Sequence, residues 1–219
     1  MPEIKYIRRK ICLLGDAAVG KTSLVRRFVE DVFDDKYVVT LGTKVTMKEM
    51  NIKAPDPKQT MKITLMIWDI LGQKELKRLQ TGFYKGASGA LIVADITRKE
   101  TFKSIEDWVN SLFLTVGTVP VLLLLNKSDL SEQGVVKGGY IADLTKRYDT
   151  TYLLTSAKTG KNVDLAFKRL SEMLVKNYEP GKAFTKESTT LGKNGFNIYE
   201  EKLPQRTKIS EKSGDNNSI

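Results

Sequence analysis

The chain has 219 residues, 41% of them hydrophobic and 28% charged, with a net charge of +10. That length holds one globular domain with a sizeable core and leaves room for a tail. No run of about 18 apolar residues occurs, which excludes a hydrophobic membrane span, and the start "MPEIKYIRRKI" has no long apolar stretch or cleavage site, so no secretory signal is expected.

In chain order, short apolar runs alternate with helical patterns. "YIRRKICLLGD" reads as a strand ending in a glycine turn, after which Leu24, Phe28 and Val32 recur at helical spacing from about Lys21. "VTMKEMNI" and "TMKITLMIWD" alternate like paired antiparallel strands, joined through the two prolines of "KAPDPKQ". "GALIVADI" and "VPVLLLLN" are continuous apolar runs of strand length, the pattern of strands covered on both faces. Between them Phe102, Ile105, Val109 and Leu112 mark one helix face. "TYLLTS" is a last strand, and Val163, Phe167, Leu170 and Leu174 mark a closing helix. Such alternation predicts an α/β fold, a mostly parallel sheet with helices on both faces. From Asn177 the periodicity stops, which divides the chain into a domain over residues 1–176 and a flexible polar tail over 177–219.

The charge carries less functional information than its size implies. Residues 177–219 hold seven Lys/Arg against six Asp/Glu, so +9 of the +10 lies on the rest of the chain. There it is scattered, apart from Arg8-Arg9-Lys10 and Arg26-Arg27, and no aromatics interleave it as a base-stacking platform requires. A solvated surface is expected, with no nucleic acid bound and membrane contact at most peripheral. The lone cysteine, Cys12, sits inside an apolar run and forms no internal disulfide, which fits a core residue in a reducing cytoplasmic setting.

The chemistry is concentrated at strand ends. Gly15, Asp16, Ala17, Ala18, Val19, Gly20, Lys21 and Thr22 match G-x-x-x-x-G-K-[ST] between a strand and a helix, with Ser23 following. Glycine lets backbone N–H groups turn onto phosphate oxygens, and the helix N-terminus adds its dipole. Lys21 supplies charge for the β- and γ-phosphates, and the Thr22 hydroxyl suits Mg²⁺. "WDILGQ" places Asp69 at a strand end, where a carboxylate holds Mg²⁺ through water, and Gly72 where a backbone N–H approaches a γ-phosphate. "LLLLNKSD" ends a buried strand with Asn126, Lys127 and Asp129. A carboxylate in a base pocket suits guanine, whose ring N–H and exocyclic amine both donate, whereas adenine offers no such pair. "TSAKTG" supplies Ser156, Ala157 and Lys158 to close that pocket.

With these motifs in this order, the chain resembles a Ras-superfamily small GTPase, near the Rab branch, over roughly residues 5–176. The resemblance implies a P-loop GTPase domain, a mostly parallel six-stranded sheet flanked by five helices, that binds GTP or GDP with Mg²⁺. It implies two segments that order around the γ-phosphate, together with protein effectors, an exchange factor and a GTPase-activating protein. It further assigns Phe33 to pack on the guanine, Tyr37 to close over the phosphates, Thr40 to ligate Mg²⁺ beside Thr22 and Asp69, and Gln73 to orient water. The catalytic set is then Gln73, Lys21 and Thr40.

Several positions depart from the family pattern. Leu71 stands beside Gly72 where the family carries a small residue, and Val45 replaces an effector-facing phenylalanine, so Rab partners do not transfer. No cysteine lies near residue 219, so no lipid anchor is expected. On the residues alone, two main readings remain open: a switch that hydrolyses GTP, and a nucleotide-locked interaction module with negligible turnover. A basic GTPase acting on nucleic acid is a third and weaker reading, because no RNA-binding module follows the domain.

Overall fold

A computed structural model describes residues 3–33, 42–53, 59–72, 77–134 and 138–176. Strand β1 (Glu3–Leu14) leads through the glycine-bounded loop into helix α1 (Lys21–Glu30). Strands β2 (Thr43–Lys53) and β3 (Gln59–Ile70) follow, then α2 (Lys77–Tyr84) and β4 (Gly89–Asp95). Helices α3 (Lys99–Lys103) and α4 (Ile105–Val116) precede β5 (Val121–Asn126) and a 3₁₀ turn at Ser128–Gln133. Helix α5 (Gly138–Arg147), β6 (Tyr152–Leu154) and α6 (Val163–Lys176) complete the described fold.

The six strands form one sheet in the order β2-β3-β1-β4-β5-β6. Only β2 runs antiparallel, pairing Val45 with Trp68 and Met47 with Met66 on β3. All residues of β4 and β5 are buried, because helices cover both faces there and no polar side is required. One face packs Ile11, Leu13, Ile63, Leu65, Val93 and Leu124 beneath α1 and α6, where Phe28 and Phe167 stack with ring centres 3.9 Å apart. The other buries Cys12, Leu14, Ile92 and Leu123 with Phe102, Trp108, Leu112 and Ile141. Cys12 is therefore a free core thiol, as its apolar flanks predict.

Two local differences from the sequence pattern stand out. Val32 is not part of the α1 face: the helix ends at Asp31, which adopts left-handed φ 53° and returns its N–H to Arg27 O at 3.0 Å. Val32 is then left 43% exposed. The helix read through Phe102 and Leu112 falls into α3 and α4, which meet at Ser104, so six α-helices rather than five appear among the described residues. Ser104 keeps right-handed φ −78° and ψ −15°, and its N–H and C=O still bond Glu100 O and Trp108 N. All parallel strands deliver their C-terminal ends to one edge, and the loops leaving β1, β3, β4, β5 and β6 gather there, as α/β sheets build their sites.

Candidate functional site

The loop after β1 is shaped by contacts that exclude a side chain at its glycines. Gly15 has φ +140°, and a Cβ there would run into the Val93 carbonyl. Gly20 has φ +97°, with the Asn126 amide against the same space. Ala18 also lies in the left-handed region at φ 60°. Ala17 and Ala18 are exposed, Val19 is anchored in the core, and Ser23 is half-buried on the first turn of α1. Lys21 is buried with its Nζ curled back into the loop, donating to Gly15 O at 2.7 Å and Asp16 O at 2.8 Å. Desolvation lowers its pKa from 10.5 to about 8, against the pull of Asp69 and Asp16 and with help from Arg98. A cation held so dry, with only carbonyl partners among these contacts, is suited to an anion.

Beside it, Thr22 Oγ1 donates to Asp69 Oδ2 at 2.5 Å. Asp69, one residue before the end of β3, is only 2% exposed, and its Oδ1 has no hydrogen-bond partner among the described residues. Burial raises the Asp69 pKa, with the Thr22 bond and Lys21 opposing the shift. A hydroxyl and a carboxylate sharing one point, with a buried oxygen unpartnered, fit an oxygen-liganded divalent cation. No cluster of three or more His, Cys, Asp or Glu side chains occurs among the described residues, so hydroxyl donors would have to contribute. Gly72 passes so close that a Cβ would stand 2.5 Å from Lys21 Nζ and 2.6 Å from Asp16 O. Leu71 N, next to it, donates to Gly42 O at 3.1 Å.

The loops after β5 and β6 interlock with this loop through one side chain. Asn126 is buried; its Nδ2 donates to Val19 O at 2.8 Å and its Oδ1 accepts from Ala157 N at 3.3 Å. Lys127 stands at left-handed φ 65° with Nζ 2.6 Å from Asp95 Oδ2. Asp129 is exposed and accepts from the buried Ser156 Oγ at 2.5 Å, while Lys158 is exposed. Phe33 is half-buried against the α1 side of the core. Tyr37, Thr40 and Gln73 lie outside the described residues, as does the tail over 177–219.

Sequence reasoning missed the residues that brace the site. Asp16 carries its carboxylate away from the cavity of the loop: Oδ2 accepts from Ser104 Oγ and Oδ1 from Trp108 Nε1, both at 2.8 Å. Arg98 Nη2 donates to Ala17 O at 2.7 Å, and its Nε lies 3.3 Å from Asp95 Oδ2. Asp95, fully buried, thus touches cations belonging to both the phosphate-loop side and the Lys127 side. Burial raises the Asp95 carboxyl, but bonds from Lys127 and Thr97 outweigh it and leave the pKa below the ordinary range. Asp95 had a local signal, since Asp-x-Thr forms a side-chain turn in which Oδ1 accepts from Thr97 N at 3.0 Å. Arg98, Ser104 and Trp108 had none.

A family model described as Ras family matches residues 10–176. The chain belongs to the Ras family. It is 35% identical over 170 residues to Ras-related protein Rab-13 of Canis lupus familiaris, covering 77% of this chain and 81% of that one. It is 30% identical over 204 residues to Ras-related protein Rab-27B of Homo sapiens, covering 90% and 94%. Against Ras-related protein Rab-27A of Sus scrofa it is 32% identical over 176 residues, covering 78% and 80%. The chain is therefore a Rab-like small GTPase, and as such it binds guanine nucleotide. No helix among its described residues is long and apolar enough to cross a membrane.

Proposed function

We propose that this small GTPase is a switch that binds GTP, hydrolyses it slowly unaided, and presents different surfaces to effectors in its GTP and GDP states. The observation that carries the reading is Asn126, which bonds the phosphate loop at Val19 O and the base-side loop at Ala157 N. One side chain thereby sets the distance between a phosphate cradle and a base pocket, which suits a single ligand with a base at one end and phosphates at the other. Lys21 and the loop N–H groups hold the β- and γ-phosphates. Thr22, Asp69 and Thr40 hold Mg²⁺, which when bound neutralises charge on the phosphate oxygens. Asp129 accepts from the guanine ring N–H and amine, Asn126, Lys127, Ser156, Ala157 and Lys158 shape the pocket, and Phe33 covers the base.

Gln73 orients a water for in-line attack on the γ-phosphorus, whose bond to the bridging oxygen breaks to give GDP and inorganic phosphate. The likeness to Ras and Rab proteins implies no built-in arginine finger, so a partner supplying a second cation accelerates the step by about 10³–10⁵. Exchange factor, activating protein and effectors are proposed partners. A cytoplasmic setting with at most peripheral membrane contact completes the proposal. Single-turnover hydrolysis by purified protein tests it: measurable turnover that falls in Gln73→Leu supports the switch, and no turnover in either supports the locked module. Leu71, half-buried beside Gly72, favours that second reading by crowding the segment that must close; faster hydrolysis in Leu71→Ala would identify it as the brake.

A further inference from the structure

Arg27 projects from α1, the helix that begins at the phosphate loop, and all three guanidinium nitrogens donate hydrogen bonds. Nε donates to Ala157 O at 3.0 Å and Nη2 to Lys158 O at 2.8 Å, taking the carbonyls of successive residues with one edge of the fork. Nη1 donates to Asp31 O and Oδ1, each at 3.1 Å. The Arg27 side chain is only 18% exposed, with its bond to Ala157 O part-buried and its bonds to Lys158 O and Asp31 facing solvent. Two walls of the base pocket meet at this one group. The Ser156–Lys158 loop forms one, and Asp31, in its left-handed turn two residues ahead of Phe33, begins the other.

We infer that Arg27 is a positioning residue that sets the closure of the base pocket, and with it the dwell time of the bound nucleotide and the discrimination of guanine. The inference rests on the reading of the site as a guanine-nucleotide pocket. The route to discrimination is structural. Arg27 holds the loop from behind through the two carbonyls, while Ser156 Oγ on the same loop donates to Asp129 Oδ1 at 2.5 Å. Releasing the carbonyls frees the loop, and the orientation of Asp129, which faces the exocyclic amine of guanine, goes with it. Lysine does not replace this group, because an ammonium is a point charge that cannot span two carbonyls in a fixed plane.

The test uses full-length protein, a fluorescent GDP analogue, and competition by GDP and by inosine diphosphate, which lacks the exocyclic amine. In Arg27→Gln, dissociation of the analogue should rise about tenfold, the scale of one lost charge-assisted hydrogen bond. The preference for GDP over inosine diphosphate should shrink, and the hydrolysis rate constant of preloaded GTP should stay within about twofold, because no Arg27 bond reaches Lys21, Thr22 or Asp69. Arg27→Lys keeps charge and stem, so it serves if the glutamine variant fails to fold, and a smaller rise of about threefold is expected. Unchanged dissociation in both variants overturns the inference, as does faster dissociation with the GDP preference intact, which marks a merely structural arginine. If the unsubstituted protein does not bind the GDP analogue, the reading of the site itself fails.

Discussion

Trp108→Phe isolates the brace between α4 and the phosphate loop. Trp108 is 2% exposed and its Nε1–H reaches Asp16 Oδ1 at 2.8 Å. Phenylalanine keeps most of the ring but removes the donor. Hydrogen bonds to a charged group contribute about 1.5–3 kcal/mol, and the missing ring volume adds on the order of 1 kcal/mol, so about 2–4 kcal/mol should be lost. For a domain of this size each kcal/mol moves the melting temperature by about 2–4 °C, which predicts a fall of roughly 5–15 °C. The loss should extend to function, because Asp16 also presents its carbonyl to Lys21 Nζ at 2.8 Å. Urea unfolding at two fixed GDP concentrations separates fold stability from ligand linkage. A double-mutant cycle with Asp16→Ala separates the hydrogen bond from the lost volume, with an expected coupling of about 1–2 kcal/mol. Additivity within about 0.5 kcal/mol would refute the reasoning, since the 2.8 Å contact would then carry no energy of its own.

Other expectations follow from the same site. Lys21 titrates at about 8 in the fold against 10.5 ordinarily, so between those values the unfolded chain binds the proton that the native protein has released. Stability of the nucleotide-free protein should therefore rise with pH across that window, by up to about 3 kcal/mol, and a flat profile or the same slope in Lys21→Met would contradict the assignment. Asp129→Asn should weaken GDP binding and improve binding of xanthosine diphosphate, whose base offers a carbonyl where guanine has the amine; competition titration reads the exchange of preference, and equal GDP and ADP affinity in the unsubstituted protein would end the guanine assignment. Gly72→Ala should impair the site severely, because its Cβ would stand 2.6 Å from Asp16 O and 2.5 Å from Lys21 Nζ. GDP and GTP affinities measured side by side would register the clash, and wild-type values for both would refute it.

The sequence by itself determined the parts of this protein whose requirements are local. Gly15 and Gly20 are written into the chain because left-handed φ and close backbone approach admit no side chain, and such a demand shows in the residue that meets it. The buried strands β4 and β5 announced themselves as unbroken apolar runs, and Asn126 at the end of β5 announced the site. Helices α2 and α5 were not read from the sequence, although Ile141 and Leu144 of α5 recur at helical spacing and are buried in the core on the α4 side of the sheet. Tyr37, Thr40 and Gln73 keep only their sequence assignments, since they lie outside the described residues. What the tertiary structure alone decided is the bracing: Asp16 with Ser104 and Trp108, Asp95 between Arg98 and Lys127, and Arg27 behind Ala157 and Lys158. The Arg27 bonds cross 130 and 131 residues of chain. A surface arginine and a pocket-bracing arginine read alike in a sequence, because the carbonyls that distinguish them arrive only when β5 and β6 bring the distant loops to the edge where α1 begins.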